Sequence, residues 1–306
     1  MLLLTSTGNA SVDRLLSGVI GIFEIAFPAR VQGYYVQGSY ADHSGVATSD
    51  IDMEIVFQGS ITAAERQQAE LLADYCAALS AVELDVDVED EARLIAGSDP
   101  MFKMASLLIY GEDIRDRVPL VGLPDWTRDR MHTSYRRFVK LFQRPGVVTY
   151  PLAYPDPAAE FYGYDLRKVR LPDGREVNST RDLIRATGWA ATAIIAFKCG
   201  RYVARKSDCH RIYQECFHDE WGSLLADIYQ QCRGRWHYLI PEASAERQQL
   251  RAICARTSGF ENHFLQVYKK FLLSELRHED TQAREQALKV LAAISFQDEE
   301  ILSAML

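Results

Sequence analysis

Residues 36–57 read VQGSYADHSGVATSDIDMEIVF, and this stretch decides the fold of the first part of the chain. An apolar run ends at Gly38 and Ser39, a polar loop follows, and Asp50 and Asp52 stand at the start of a second apolar run. Two carboxylates on one face of a strand repel each other, and burying them unpaired is costly. The pair therefore predicts that a cation binds between them.

Strand alternation separates the acidic residues of this stretch from its apolar residues, because successive side chains point to opposite faces. One face carries Asp50, Asp52 and Glu54, and the other carries Ile51, Met53, Ile55 and Phe57. Carboxylates about 6 to 7 Å apart along a strand can share magnesium, a hard cation that takes oxygen ligands together with substrate phosphates. The preceding turn offers a glycine without a Cβ, exposed backbone N–H groups and a hydroxyl, which suit phosphate oxygens. The pattern predicts that phosphate and metal meet at one place.

A second acidic strand is predicted at residues 82–90, VELDVDVED. Alternation puts its valines and leucine inward and its four acids, Glu83, Asp85, Asp87 and Glu89, on the opposite face. If this strand lies beside the strand of Asp50, then Asp85 or Asp87 completes a cluster of three carboxylates. For Glu83 and Glu89 a solvated edge strand, whose charges block aggregation, is the better interpretation.

Composition bounds the class of protein. The 306 residues are 48% hydrophobic and 25% charged, which is typical of globular protein with room for about two domains. The formal net charge of −8 argues against a protein that coats nucleic acid or a membrane through bulk charge. Partners are therefore expected to be small or recognised locally, with no membrane, and nucleic acid is disfavoured as a partner. The chain is expected to be a monomer.

The expected location is the cytoplasm. The amino terminus lacks the basic region of a signal peptide, and no apolar run approaches the roughly 18 to 20 residues that a membrane helix needs. Six cysteines without a CxxC pair favour reduced thiols. Cys209 with His210, and Cys216 with His218, have a spacing that fits no common structural zinc site.

The organisation of the chain changes near residue 120. Before it, strand-like runs alternate with helical stretches, and after it nearly every long segment has helical spacing. We therefore predict an α+β protein with a mixed sheet flanked by helices over residues 1–122 and an all-α helical bundle over residues 123–306. Residues 144–178 are rich in proline and glycine, which predicts a loop or a short hairpin between helices.

The spacing of these motifs resembles a known family. The Gly38-Ser39 turn, the ten-residue gap, Asp50-Ile51-Asp52-Met53 and the later acidic strand are similar to the DNA polymerase β-type nucleotidyltransferase superfamily. The helical second half resembles the aminoglycoside adenylyltransferases of the streptomycin/spectinomycin type. Residues 107–120, LLIYGEDIRDRVPL, resemble the end of their catalytic domain. Residues 199–213, CGRYVARKSDCHRIY, resemble their segment with a lysine on the nucleotide phosphates, which Lys206 matches.

The resemblance implies a magnesium-dependent enzyme that moves AMP, or another nucleoside monophosphate, from a nucleoside triphosphate such as ATP to a hydroxyl of a small acceptor. An aminoglycoside is one such acceptor, as in antibiotic resistance. Asp50 and Asp52 would bind the metal, and Asp85 is favoured over Asp87 because it aligns with the third acidic position of the family. The relatives carry glutamate there, so Asp85 is either a third metal ligand or the base.

The same resemblance assigns the phosphates to Gly38, Ser39 and Lys206, with Arg201 and Arg205 as further contacts. No counterpart of the residues that hold the antibiotic is found, so the identity of the acceptor stays open. A toxin-like nucleotidyltransferase that modifies tRNA or protein and a catalytically silent nucleotide-binding module are the alternatives. The acidic charge argues against tRNA, and the intact pair of aspartates argues against a silent module. Asp42 and His43 either border the nucleotide or form a polar loop tip.

Overall fold

Strands and helices alternate up to residue 122 in the computed structural model, which describes residues 2–171 and 173–305. The chain divides into two units. The first consists of Met1–Gly122, Arg170–Glu176 and Val203–Asp208, and the second of Leu123–Val169, Val177–Tyr202 and Cys209–Leu306. None of the helices within the described residues combines the length and the apolar character that crossing a bilayer requires.

A four-stranded mixed sheet forms the centre of the first unit. Its elements are α1 (Ala10–Ala26), β1 (Val31–Gln37), α2 (Gly38–Ala41), β2 (Ile51–Phe57), α3 (Ala63–Leu79), β3 (Leu84–Asp90), α4 (Glu91–Ala96) and β4 (Leu107–Gly111). The strands lie in the order β3-β2-β1-β4. The β2–β3 pair is parallel, with α3 as its crossover, and the two pairs made by β1 are antiparallel. Parallel strands need such a crossover because the chain must return to the starting end of the first strand before the second begins, and a tight turn cannot span that distance.

One face of the sheet packs against α1 and α3, as the alternation of β2 predicts. Its buried residues include Ile51, Met53, Ile55 and Phe57 of β2, together with Leu16 and Phe23 of α1 and Ala69 and Ala73 of α3. The opposite face is acidic only at the start of β2. Further along that face Glu54 is buried, and Val56 packs with Tyr35, Leu94 and Phe102 in a second apolar cluster. The acidic face is thus shorter than the sequence indicates.

The second unit is mainly helical. Its helices are α5 (Leu123–Leu141), α6 (Arg181–Cys199), α7 (Cys209–Cys216), α8 (Glu220–Asp227), α9 (Ser244–Leu276), α10 (Thr281–Ala293) and α11 (Glu299–Met305). The short strands are β5 (Val148–Thr149), β6 (Arg167–Arg170), β7 (Glu176–Ser179) and β8 (Ile294–Ser295), where β5 pairs with β8 and β6 with β7. The β6–β7 pair is the hairpin expected between helices. The predicted α+β class, a mixed sheet followed by helices, is therefore confirmed.

Candidate functional site

Three aspartates converge where β2 and β3 begin. Asp50 immediately precedes β2, Asp52 is its second residue, and the parallel register places Asp85 opposite Asp52. One carboxylate oxygen from each of the three lies within 4.8 Å of the others. Asp50 and Asp52 are half-buried and Asp85 is exposed. Three carboxylates at this separation form an oxygen donor set that suits a hard divalent cation such as Mg²⁺.

The register of the β2–β3 pair separates the two candidates for the third carboxylate. Asp85 lies opposite Asp52, whereas Asp87 lies opposite Glu54, two residues further along the strand. Same-face positions in a strand are about 6 to 7 Å apart. The structure therefore brings Asp85 to the other two aspartates and leaves Asp87 outside the group.

Gly38 brings the backbone of the turn beside one carboxylate of the cluster, that of Asp52. Its φ is +65°, a left-handed conformation that residues with a side chain rarely adopt, and a Cβ there would lie 2.6 Å from Oδ2 of Asp52. This close approach follows from the β1–β2 register, which pairs Gln37 with Asp52. Helix α2 then starts at Gly38 with no side-chain cap from Gln37, and Ser39 is half-buried beside it. The absence of a Cβ lets the Asp52 carboxylate rest against the backbone of the predicted phosphate turn.

Burial and neighbouring negative charge affect two further residues, Tyr40 beside Asp50 and Glu54, which lies two positions after Asp52 in β2. Burial, and secondarily the charge of Asp50, raises the pKa of the Tyr40 hydroxyl. Burial raises the pKa of the Glu54 carboxyl to about 8, with further contributions from Glu89, Asp87 and Asp99. Glu54 also accepts a hydrogen bond from Nε2 of Gln37. Glu54 is therefore held protonated at neutral pH, which the sequence reading of an acidic face missed.

A hydrogen bond ties the loop after the turn to a distant part of the chain. Oδ1 of Asp42 accepts the N–H of Ser44 at 3.1 Å, and its Oδ2 accepts the hydroxyl of Ser207 at 2.8 Å. Ser207 lies 165 positions later, in a 3-10 turn that belongs to the first unit. The adjacent His43 has its ring Nδ1 3.0 Å from the carbonyl oxygen of Thr7. Asp42 is thus a connecting residue rather than a free loop tip, and no local sequence signal marks its partner.

The three cations assigned to phosphates have different surroundings. Lys206 precedes Ser207 in the 3-10 turn of the first unit, and both it and Arg205 are exposed. Neither side chain makes an ion pair with another residue in the described part of the chain. Arg201 belongs to the second unit, where its Nη1 lies 3.2 Å from Oε2 of Glu215. Lys206 and Arg205 are therefore available to a ligand, and Arg201 already has a carboxylate partner.

The segment that resembles the end of a catalytic domain closes the first unit. After β4, Ile114 and Val118 are completely buried. Between them Arg115 pairs with Asp113, with 2.5 Å between Nη2 and Oδ2, and donates from Nη1 to the carbonyl oxygen of Ser106. These contacts hold the segment that follows β4 against the rest of the first unit, which gives residues 107–120 a structural role.

Comparisons with known proteins give matches in structure only. No family model matches the chain, and no curated protein sequence matches it. The spectinomycin adenyltransferase AAD(9) from Enterococcus faecialis, solved with ATP and spectinomycin, is 11% identical, with 80% of this chain and 97% of that chain covered and a TM-score of 0.43. A toxin-antitoxin solved with AMP-PNP is 14% identical over 43% of this chain and 92% of that chain, with a TM-score of 0.24. The toxin-antitoxin MntA-HpeT is 19% identical over 42% and 91%, also with a TM-score of 0.24. The chain is similar in structure to these proteins at identities of 11 to 19%.

Proposed function

We propose that the chain is a magnesium-dependent nucleotidyltransferase that moves a nucleoside monophosphate, AMP first, from its triphosphate to a hydroxyl of a small-molecule acceptor. The observation that carries the proposal is the convergence of Asp50, Asp52 and Asp85, with the Asp52 carboxylate beside Gly38. Three carboxylates that lie so close together repel each other, and divalent cations offset that repulsion. The contact of Gly38 with Asp52 supports the proposal that the turn binds the triphosphate beside those cations.

The proposed reaction is an in-line displacement at the α-phosphorus. The acceptor oxygen forms a bond to this phosphorus, the bond to the bridging oxygen of the β-phosphate breaks, and pyrophosphate leaves with the electron pair. When bound, magnesium ions would neutralise the phosphate oxygens and stabilise the charge that develops in the transition state. Asp50 and Asp52 would hold them. Asp85, the most exposed of the three, would complete this site or accept the proton of the acceptor hydroxyl.

The outer phosphates are assigned to the turn and to the free cations. The N–H groups of the turn and the hydroxyl of Ser39 would donate to phosphate oxygens, as they do in other backbone nests. Lys206 and Arg205 would add positive charge, with Arg201 as a further contact. We assign catalysis to residues 1–122, and a contribution to the binding of nucleotide and acceptor to residues 123–306. An aminoglycoside is one acceptor that fits this class of reaction.

A labelling experiment tests the proposal. The purified chain is incubated with each of the four nucleoside triphosphates, Mg²⁺ and a panel of aminoglycosides and other polyhydroxylated small molecules, with tRNA and protein in parallel reactions. Mass spectrometry of the acceptors should find one added nucleotide on a small molecule, and the product should disappear when EDTA is added.

The matched variants are Asp50→Asn and Asp87→Asn, because both remove one acidic charge beside the same sheet and only the first lies in the cluster. We expect Asp50→Asn to abolish transfer and Asp87→Asn to retain most of it. A nucleotide found on tRNA or protein instead would support the toxin-like alternative. Nucleotide binding without any transfer would identify a silent binding module.

A further inference from the structure

Two arginines of α5 stack on one tryptophan of α6 in the second unit. Arg130 and Arg137 are seven residues apart and so share a face of their helix. Their guanidinium carbons lie 4.1 Å and 3.8 Å from the centroid of the Trp189 ring. Arg130 also lies 5.9 Å from the centroid of the Trp126 ring. Helices α5 and α6 therefore hold two positive charges at a single indole, far along the sequence from the aspartate cluster.

The acids near Arg137 pair with arginines other than Arg137. Asp129 pairs with Arg130, with 2.8 Å between Oδ2 and Nη2, and Asp182 has Oδ1 at 3.8 Å from Nη1 of Arg185. Arg137 makes no ion pair within the part of the chain that the structure describes, and its Nε is buried without a hydrogen-bond partner. Burial, followed by the charges of Arg185 and Arg130, lowers the pKa of Arg137 to about 10, while the charges of Asp129 and Asp182 act in the opposite direction. Arg137 thus carries a positive charge that Asp129 and Asp182 offset only in part, and it has no direct carboxylate partner among the described residues.

Packing alone accounts for only part of this arrangement. A guanidinium stacked on an indole uses its flat face and gains a cation–π attraction, which explains why both arginines lie against Trp189. The N–H donors stand on the edge of the guanidinium and stay unused by such a stack. A buried N–H without an acceptor is unfavourable, and a second guanidinium beside it adds repulsion. An oxyanion would offset the excess positive charge, because its two oxygens can accept from the two Nη groups of one arginine at once.

We propose that Arg137, supported by Arg130 on the ring of Trp189, binds an oxyanion, the phosphate or carboxylate group of a small ligand. The site consists entirely of residues from α5 and α6, so it exists whether or not the aspartate cluster transfers nucleotides. Trp189 holds the arginine edge in a fixed orientation, which lowers the entropy that the side chain loses when it binds.

The test is a titration of the full-length chain with inorganic phosphate and, separately, with acetate, in EDTA and with sodium chloride at matched ionic strength as the blank. Binding is followed by tryptophan fluorescence and by calorimetry. The variants are Arg137→Gln and Arg136→Gln, which remove the same charge from neighbouring positions of α5. Arg136 is exposed and does not stack on Trp189, so it is the matched control.

We expect Arg137→Gln to weaken oxyanion binding by a factor of at least about 10, the scale of charge-assisted hydrogen bonds, and Arg136→Gln to change it by less than about twofold. The fluorescence response should disappear in Trp189→Phe while calorimetric binding persists. If Arg137→Gln does not fold, Arg137→Lys is measured instead. This variant keeps the positive charge but should still weaken binding, because lysine lacks the paired N–H donors of a guanidinium group. Tighter binding of phosphate or of acetate tells which group the ligand carries. Absence of saturable binding in the unmodified chain, or equal losses in the variants at 136 and 137, would overturn the proposal.

Discussion

Replacing Gly38 by alanine tests the contact between the phosphate turn and Asp52. The new methyl group would lie 2.6 Å from Oδ2 of Asp52, well inside van der Waals contact, so the carboxylate or the turn must move. The left-handed φ of +65° adds strain of about 1 to 2 kcal/mol for a residue with a Cβ. A displacement on the order of 1 Å at a reacting group can cost about 10²-fold in rate. We therefore expect a modest loss of stability and a loss of about 10²-fold in nucleotidyl transfer.

Gly59→Ala is the matched control for Gly38→Ala. Gly59 has a φ of +63°, and no heavy atom lies within 4 Å of the position that its Cβ would occupy. It therefore carries the conformational strain without the clash. The assays are thermal unfolding, magnesium-dependent affinity for a non-hydrolysable ATP analogue, and single-turnover transfer to the acceptor found by mass spectrometry. Similar losses of stability in both variants, with a loss of affinity and transfer only in Gly38→Ala, are expected. If the two variants bind the magnesium nucleotide equally well, the Asp52 contact has no part in the site.

Three further outcomes are expected. Asp85→Ala should lower single-turnover transfer by about 10²-fold, the scale of a lost base or ligand, and Asp87→Ala should lower it far less; the reverse ranking would move the site two residues along β3. Ser207→Ala should weaken binding of the triphosphate analogue in calorimetry but leave binding of the nucleoside unchanged, because it breaks the bond to Asp42 that fixes the turn carrying the adjacent lysine. Ser207→Thr keeps the hydroxyl and should restore the affinity. In metal-free protein, the raised pKa of Glu54 contributes stability below its ordinary value of 4.5, which is lost as the pH rises through about 8. Denaturation at pH 5 and pH 9 should find this loss reduced in Glu54→Gln, and an unchanged pH dependence would contradict the assignment.

The sequence predicts the faces of β2 and β3 but not their register. Alternation correctly separates the apolar residues of both strands from the acidic ones, because the side-chain period of two holds wherever one face packs. Asp85 and Asp87 share that period, so it cannot separate them. Only the register of the two parallel strands places Asp85 opposite Asp52. The resemblance to the adenylyltransferases also favours Asp85, because this residue aligns with the third acidic position of that family.

Contacts between residues distant in sequence explain what the sequence could not predict. Alternation places Glu54 on the acidic face, but the cluster that covers this face is contributed largely by residues after position 90. The sequence near Asp42 is typical of a polar loop tip. Its hydrogen bond to Ser207 cannot be predicted from it, because the partner lies 165 positions later. The same holds for Arg137, which on a helical pattern is indistinguishable from a solvated arginine until α6 brings Trp189 to it.

The electrostatics of the first unit are consistent with a site built for cations at the expense of stability. At an effective dielectric of about 20, two unit charges 4.8 Å apart repel by about 3.5 kcal/mol, and solvent around the exposed Asp85 reduces this repulsion. The backbone ladder prevents these side chains from separating, because Asp52 and Asp85 are paired residues of adjacent strands. Glu54 lies on the same face and stays protonated because it is buried, so it adds no fourth charge to the cluster at neutral pH. The proposed function would offset the repulsion among the three aspartates, because a divalent cation and a triphosphate can be held together by such a cluster.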